Sequence, residues 1–456
     1  MSDIKEILDE QRTFFKVGKT LSLDFRLKAL KTLKRSICEH EKDILDALKS
    51  DLNKSAFEAY ATEIAMVSEE LDYAIKHLPH WVKIKRVRTP IMHFKSSCYR
   101  IPEPYGISLI MSPWNYPFQL TLAPLIGSIA GGNCSVIKPS AYSFATSAVI
   151  ARILRECFEE NYIAVIEGGR EANQALLDEK FDYIFFTGGV SVGKTVMASA
   201  ARSLTPVTLE LGGKSPCMVD KEVNIDLAAR RIVWGKFLNA GQTCVAPDYL
   251  LVHKEVKKDL IRGIQKYILE FYGKDPCANE EYPKIINEKH FRRIKSYLSN
   301  GEIVAGGEFN EKNLRIAPTV LDKIKWEDPI MQEEIFGPIL PMIEFSDISE
   351  AVLSVNSLPK PLALYLFTTN KEVEARIVES ISFGGGCIND TIVHLATSSM
   401  PFGGVGESGM GGYHGKWSFD TFTHTKSILK KSNLIDIKLR YPPYGNKLNI
   451  FKKLFG

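Results

Sequence analysis

Three side chains far apart in the sequence have the types that covalent chemistry on a carbonyl needs. Cys244, in Gly241-Gln242-Thr243-Cys244-Val245-Ala246-Pro247, offers a thiol nucleophile. Glu210, in Leu209-Glu210-Leu211-Gly212-Gly213-Lys214, offers a carboxylate to activate water. Asn115, in Pro113-Trp114-Asn115-Tyr116-Pro117, offers an amide N–H for an oxyanion. Each alone has a plainer reading: a lone cysteine is more often a small buried hydrophobe, Glu210 a salt-bridged or surface carboxylate, and Asn115 a turn former. Their joint occurrence is what points to chemistry.

Two glycine runs compete for attention. Gly188-Gly189-Val190-Ser191-Val192-Gly193-Lys194-Thr195 matches the phosphate-cradling P-loop pattern, follows an expected strand and opens an expected helix. Alone it would indicate a nucleotide triphosphatase, with Asp220 ending an apolar run as the magnesium-holding carboxylate. Gly404-Val405-Gly406-Glu407-Ser408-Gly409 is formally GxGxxG, but it follows Pro401-Phe402 rather than a strand, so it reads as a tight loop.

The elements that must position these residues follow from periodicity. Leu27, Leu30, Leu33 and Ile37, then Ile44, Leu45, Leu48 and Leu52, then Ile64, Val67, Leu71, Ile75 and Leu78 recur at helical spacing, so the first eighty residues read mostly as helix. From Gly106 short apolar runs (107–111, 134–137, 164–166, 183–186, 207–211) alternate with helix-length amphipathic stretches, the rhythm of a doubly wound parallel sheet in an α/β protein. A second alternation after Gly212 reads as a separate catalytic domain.

Composition narrows the function classes. With 456 residues, 45% hydrophobic and 25% charged, the chain can bury large sites between domains. A net charge of +4 from 58 basic and 54 acidic residues gives no field that implies nucleic acid. The eight cysteines form no CxxC pair, so neither a metal site nor a disulfide framework is expected, and a reduced cytoplasm fits. The first twenty residues lack the apolar core of a signal peptide, and no run reaches membrane-span length.

Taken together, the Cys244, Glu210 and Asn115 runs resemble the aldehyde dehydrogenase superfamily, most of all its short class 3 branch, from about Phe14 to Pro443. The resemblance implies a Rossmann-type cofactor domain (1–80 and 100–208), an α/β catalytic domain (209–400), a small arm that bridges subunits (81–99 and 401–435), a tail (436–456) and a homodimer. It implies NAD or NADP as cofactor, with Trp114, Lys138, Ser140, Thr187, Gly188, Gly193, Glu334 and Phe336 at its site. Tyr116, Trp234, Leu238 and His394 would line a tunnel for an apolar or aromatic aldehyde. An acylating or acyl-phosphate reductase shares the architecture but typically lacks the glutamate found here as Glu210, and a catalytically silent binding protein would keep only the scaffold. Ala141 departs from the family, which usually has Glu directly after Lys-Pro-Ser; losing that carboxylate favours NADP. The run Lys447–Phe455 mixes basic and apolar residues: docking on its own or a partner subunit is the stronger reading, peripheral membrane contact the weaker.

Overall fold

The helical spacing of the first eighty residues is realised as Ile4–Lys16, Leu23–Glu39, Glu41–Leu52 and Ala65–Trp81, with Leu30, Leu33, Ile37, Ile44, Leu48, Val67, Leu71 and Leu78 buried. The computed structural model describes residues 4–90, 93–436 and 438–455. Ser22 caps the second helix by accepting from the Phe25 N–H. Between Ala56–Ala59 and Ala65–Trp81 the chain widens into a π-helical turn, Tyr60–Ile64, which buries Glu63 completely. Such turns frequently mark functional sites.

A six-stranded sheet has the order Gly409–Met410, Val207–Leu211, Tyr183–Gly188, Ile107–Met111, Cys134–Lys138, Ile163–Val165. Its strands are parallel except for Gly409–Met410, which lies antiparallel to Val207–Leu211. The strands expected from sequence are present, and Val207–Leu211 has the expected bounds. Chain order reverses at Ile107–Met111, so the carboxyl ends of that strand and of Tyr183–Gly188 flank the crevice where doubly wound sheets bind ligands.

The second sheet has seven strands in the order Glu302–Ala305, Thr319–Asp322, Ile339–Phe345, Tyr249–His253, Pro216–Val219, Ala363–Phe367, Gly385–Ile388. It is parallel apart from the first pair. Leu251, Leu321, Ile339 and Leu366 lie in its core. Runs this uniformly apolar suit strands covered on both faces.

Both sheets fall within one compact unit, Met1–Trp81 with Pro104–Thr423. A second unit comprises Val82–Glu103 and His424–Gly456; it contains a three-stranded sheet in the order Lys85–Val87, Ser96–Pro104, Thr423–Lys431, and the helix Lys447–Phe455. Within it Lys426 pairs with Glu103 at 2.5 Å. Among the described residues no helix is long and apolar enough to cross a membrane.

Candidate active site

Cys244 stands at the end of a backbone segment that few residue types could adopt. The helix Ile225–Phe237 gives way to Asn239 (φ 52°), Ala240 (φ 51°) and Gly241 (φ 71°), three successive left-handed residues. Asparagine and glycine tolerate this conformation; alanine does so at a cost of roughly 1–2 kcal/mol, met by the packing around it. A Cβ on Gly241 would lie 2.3 Å from the Gly337 carbonyl, so only glycine lets the nucleophile run press against the 333–338 loop. Gln242 then fixes the turn: its amide donates to the Asn239 and Lys284 carbonyls, both at 3.0 Å, and its oxygen accepts from the Ile286 N–H.

Asn115 reaches the same turn from the other sheet. Its side-chain amide donates to the Gln242 carbonyl at 3.1 Å, while its own carbonyl accepts from Asn239 Nδ2 at 2.9 Å. One amide hydrogen is committed to Gln242, and the group carries a second. The next residue, Tyr116, bonds Thr243 Oγ1 through its hydroxyl at 2.7 Å, directly beside Cys244.

Glu210 lies one residue from the end of Val207–Leu211, opposite Gly409 across the antiparallel pair. Its side chain is buried, and neither oxygen meets a hydrogen-bond partner among the described residues. Burial therefore drives its carboxyl well above the ordinary carboxylate range. A Cβ on Gly403 would sit 3.2 Å from Glu210 Oε1, so the bare glycine backbone is what leaves the carboxylate its space. Burial, together with the charges of Glu334 and Glu210, pushes the Cys244 thiol up to about 12, opposed by the Cys244 and Val245 N–H groups. Cys244, Glu210 and Asn115 are thus gathered into one site.

The expected cofactor residues collect along the crevice. Lys138 ends its strand, buried, with Nζ donating to the Pro139 carbonyl at 2.8 Å; burial pulls it down to about 8 while Glu167 pulls the other way. Ser140 accepts from the Tyr142 N–H. Thr187, next to last in the strand Tyr183–Gly188, has a buried hydroxyl with no partner among the described residues. The strand ends at Gly188 and the helix Val190–Ala201 begins after Gly189 alone, placing Gly193 and Lys194 inside the helix. One intervening residue cannot wrap a triphosphate as a P-loop does, yet a helix N-terminus so exposed to the crevice suits a diphosphate. Gly193 is needed for packing, since a Cβ there would meet Leu211 at 2.6 Å.

On the facing side Trp114 packs edge-on to Phe336 at 5.3 Å between ring centroids, and Phe336 has φ 51°. The Glu334 carboxylate lies over Gly212, where a Cβ would come within 2.0 Å of Oε2; burial raises it to about 8. Three residues that sequence reasoning did not single out hold this loop. Lys214 bonds Asp248 at 2.5 Å and the Ile330 and Glu333 carbonyls, Asp248 accepts from the Ile335 N–H, and Arg293 donates to the Glu334 and Ile335 carbonyls. Their signal is weak in sequence because each partner lies at least 34 residues away. The orphaned Thr187 hydroxyl, the helix end and the buried Lys138 together fit a dinucleotide.

Cys244 also opens on a cavity of about 200 Å³ walled by Met66, Leu120, Val245, Ile392, Leu395 and Phe402, with Tyr116, Trp234 and Leu238 lining it as expected. His394 is not among the lining side chains, although Val393 and Leu395 are; it packs 3.6 Å from Cys387 Sγ, and burial lowers it to about 4. His414 does line the cavity and was not anticipated. No group of His, Cys, Asp and Glu among the described residues could hold a metal.

Residues 1–428 match the profile of the aldehyde dehydrogenase family. The chain is 48% identical over 100% of both chains to 4,4'-diaponeurosporen-aldehyde dehydrogenase of Staphylococcus aureus. It is 44% identical to the dimeric NADP-preferring aldehyde dehydrogenase of Rattus norvegicus, covering 98% of this chain and 99% of that one. Its fold matches the substrate-bound state of Staphylococcus aureus AldH with a TM-score of 0.98, at 48% identity and over 100% of each chain. It matches the NAD-dependent aldehyde dehydrogenase of Sinorhizobium meliloti with a TM-score of 0.86 at 27% identity, over 96% and 88%. With the cysteine, the glutamate and the dinucleotide crevice assembled on this fold, the chain belongs to the aldehyde dehydrogenase family and is an aldehyde dehydrogenase that uses NAD or NADP.

Proposed function

We propose that the protein oxidises apolar aldehydes, medium- or long-chain aliphatic or aromatic, to carboxylic acids by way of a thioester on Cys244. The observation that carries this reading is a buried Glu210 carboxylate, unpartnered among the described residues, gathered with Cys244 and a cavity with apolar walls. The Staphylococcus aureus relative is named a 4,4'-diaponeurosporen-aldehyde dehydrogenase, which supports an aldehyde as the substrate.

In this mechanism Cys244 loses its proton to solvent water and the thiolate attacks the aldehyde carbon, forming a thiohemiacetal whose oxyanion accepts from the Asn115 amide and the Cys244 N–H. Each such donor is worth roughly 3–4 kcal/mol in a dry site. A bound nicotinamide supplies the hydride acceptor. Thr187, Gly188, Ser140 and Lys138 would hold the dinucleotide, Glu334 its nicotinamide ribose, and Phe336 and Trp114 would flank its nicotinamide end. Glu210 takes a proton from water, whose oxygen attacks the thioester carbon; the C–S bond breaks, the acid leaves, and Glu210 passes that proton to the Cys244 thiolate. A reductase that passes its acyl group to another acceptor has no use for that base, so Glu210 favours hydrolysis.

The assembly we propose is a homodimer, and the compartment the cytoplasm, where the eight free cysteines stay reduced. The experiment is to supply a panel of aldehydes with NAD or NADP and follow absorbance of the reduced cofactor. We expect turnover with apolar aldehydes and none with Cys244→Ala. Substantial oxidation by that variant would end the thioester mechanism.

A further inference from the structure

Directly beneath the loop that carries Trp114, Asn115 and Tyr116 lies an ion pair with no exposure on either side. Lys54 Nζ and Glu63 Oε1 are 2.6 Å apart, and both side chains are 0% exposed. Removing two charges from water costs several kcal/mol per ion, and well-packed apolar residues of similar volume are often equally stable. Stability alone is therefore a poor reason for this pair, and its remaining contacts suggest a better one.

Lys54 has three ammonium hydrogens and three receivers. One is Glu63, the second is the Asn115 carbonyl at 3.1 Å, and the third is the face of the Tyr116 ring, whose centroid is 3.9 Å away. The other oxygen of Glu63 accepts from the Phe118 and Gln119 N–H groups at 2.8 and 3.1 Å. Those are unsatisfied donors at the start of the helix Gln119–Gly131, where a negative charge is favoured. One end of the pair thus grips Asn115 and Tyr116, and the other pins the helix that follows them. The π-helical turn Tyr60–Ile64 is the element that delivers Glu63 to this position.

We propose that the Lys54–Glu63 pair is a positioning brace that fixes Asn115 at the distance from Cys244 where its amide meets the oxyanion. Among the described residues the Asn115 side chain is otherwise held through the Gln242 carbonyl alone, whereas its backbone is set by Lys54 and Asn239. A shift of about 1 Å in a donor is enough to cost on the order of a hundredfold in rate. The proposal rests on Asn115 serving as oxyanion donor.

A double-mutant cycle on the full-length enzyme tests it. Lys54→Met with Glu63→Gln removes both charges of the pair together, leaving Glu58, a further buried carboxyl beside Lys54 that accepts from the Asn239 N–H, in place, and is made in the wild type and in Asn115→Ala; kcat, dinucleotide binding and thermal unfolding are measured for all four proteins. The brace predicts at least a tenfold loss of kcat in the wild-type background with dinucleotide affinity unchanged. In Asn115→Ala the same replacement should cost less than twofold, because no donor remains to be positioned. Equal losses in the two backgrounds would mean that the pair only supports the fold, and would overturn the proposal. A wild-type kcat for Asn115→Ala alone would instead overturn the oxyanion role beneath it. Should the neutral pair fail to fold, Glu63→Asp keeps both charges, shortens the brace by one methylene and goes through the same cycle with the same expectation.

Discussion

Glu210 sits with both oxygens unpartnered in a buried site, and this has a consequence for pH. Burial raises its carboxyl, so its basic form is reached at higher pH than for an ordinary carboxylate; burial also pushes the Cys244 thiol up to about 12, so its thiolate grows in the same direction. The rate should therefore rise with pH through the neutral and alkaline range, with no acidic optimum, in a pH profile of kcat. Glu210→Gln should keep the first-turnover burst of reduced cofactor and lose the fast steady state, since the carboxylate acts after the thioester forms. Rapid mixing checks this, and disappearance of the burst in a folded variant would reassign Glu210 to activating the thiol. At Ala141 the missing carboxylate removes repulsion of a 2'-phosphate while Lys138 remains to attract it, an effect of a few kcal/mol in a partly desolvated site. NADP is then expected to serve at least as well as NAD, with Ala141→Glu shifting kcat/KM towards NAD. A strong wild-type preference for NAD, untouched by the substitution, would place the choice elsewhere; Glu167, on the neighbouring strand end, is the first residue to examine.

Among the elements, those built from local pattern were readable and those built from distant contact were not. The apolar run 207–211 appears as a strand with its expected ends because a doubly covered parallel strand needs little beyond its own residues. The antiparallel Gly409–Met410 could not be read, since two residues carry no period and their pairing with Leu209 and Glu210 is fixed by the glycines around them. Glu63 and Lys54 escaped notice for a related reason: a π-helical turn leaves no mark on helical spacing, so two charged residues in an amphipathic stretch look solvated. Cys244 and Asn115 were legible because their neighbours form long specific runs, whereas Lys214, Asp248 and Arg293 hold the 333–336 loop through contacts that no run encodes. Gly241 shows how tightly the nucleophile turn is built. Gly241→Ala combines a left-handed φ with a Cβ 2.3 Å from the Gly337 carbonyl, and we expect a loss of about 1–3 kcal/mol in urea unfolding together with at least a tenfold fall in kcat. Wild-type values for both would show that the turn can relax.

At the scale of the molecule, the second unit carries exposed Leu434, Leu448, Ile450 and Phe451 beside Lys452 and Lys453. We expect these residues to dock on the protein itself or on a partner subunit. Full-length protein and a variant ending at Arg440 should co-sediment equally little with anionic liposomes; clear retention of the full-length protein alone would favour the membrane. The cavity beside Cys244 is smaller than the roughly 300–1,000 Å³ typical of sites that enclose a whole ligand. An extended aldehyde threaded into it keeps most of its length outside. Selection then falls on the terminus bearing the carbonyl, and the remainder of the molecule goes uninspected, so products that share one blunt end and differ in everything behind it would be treated as one substrate.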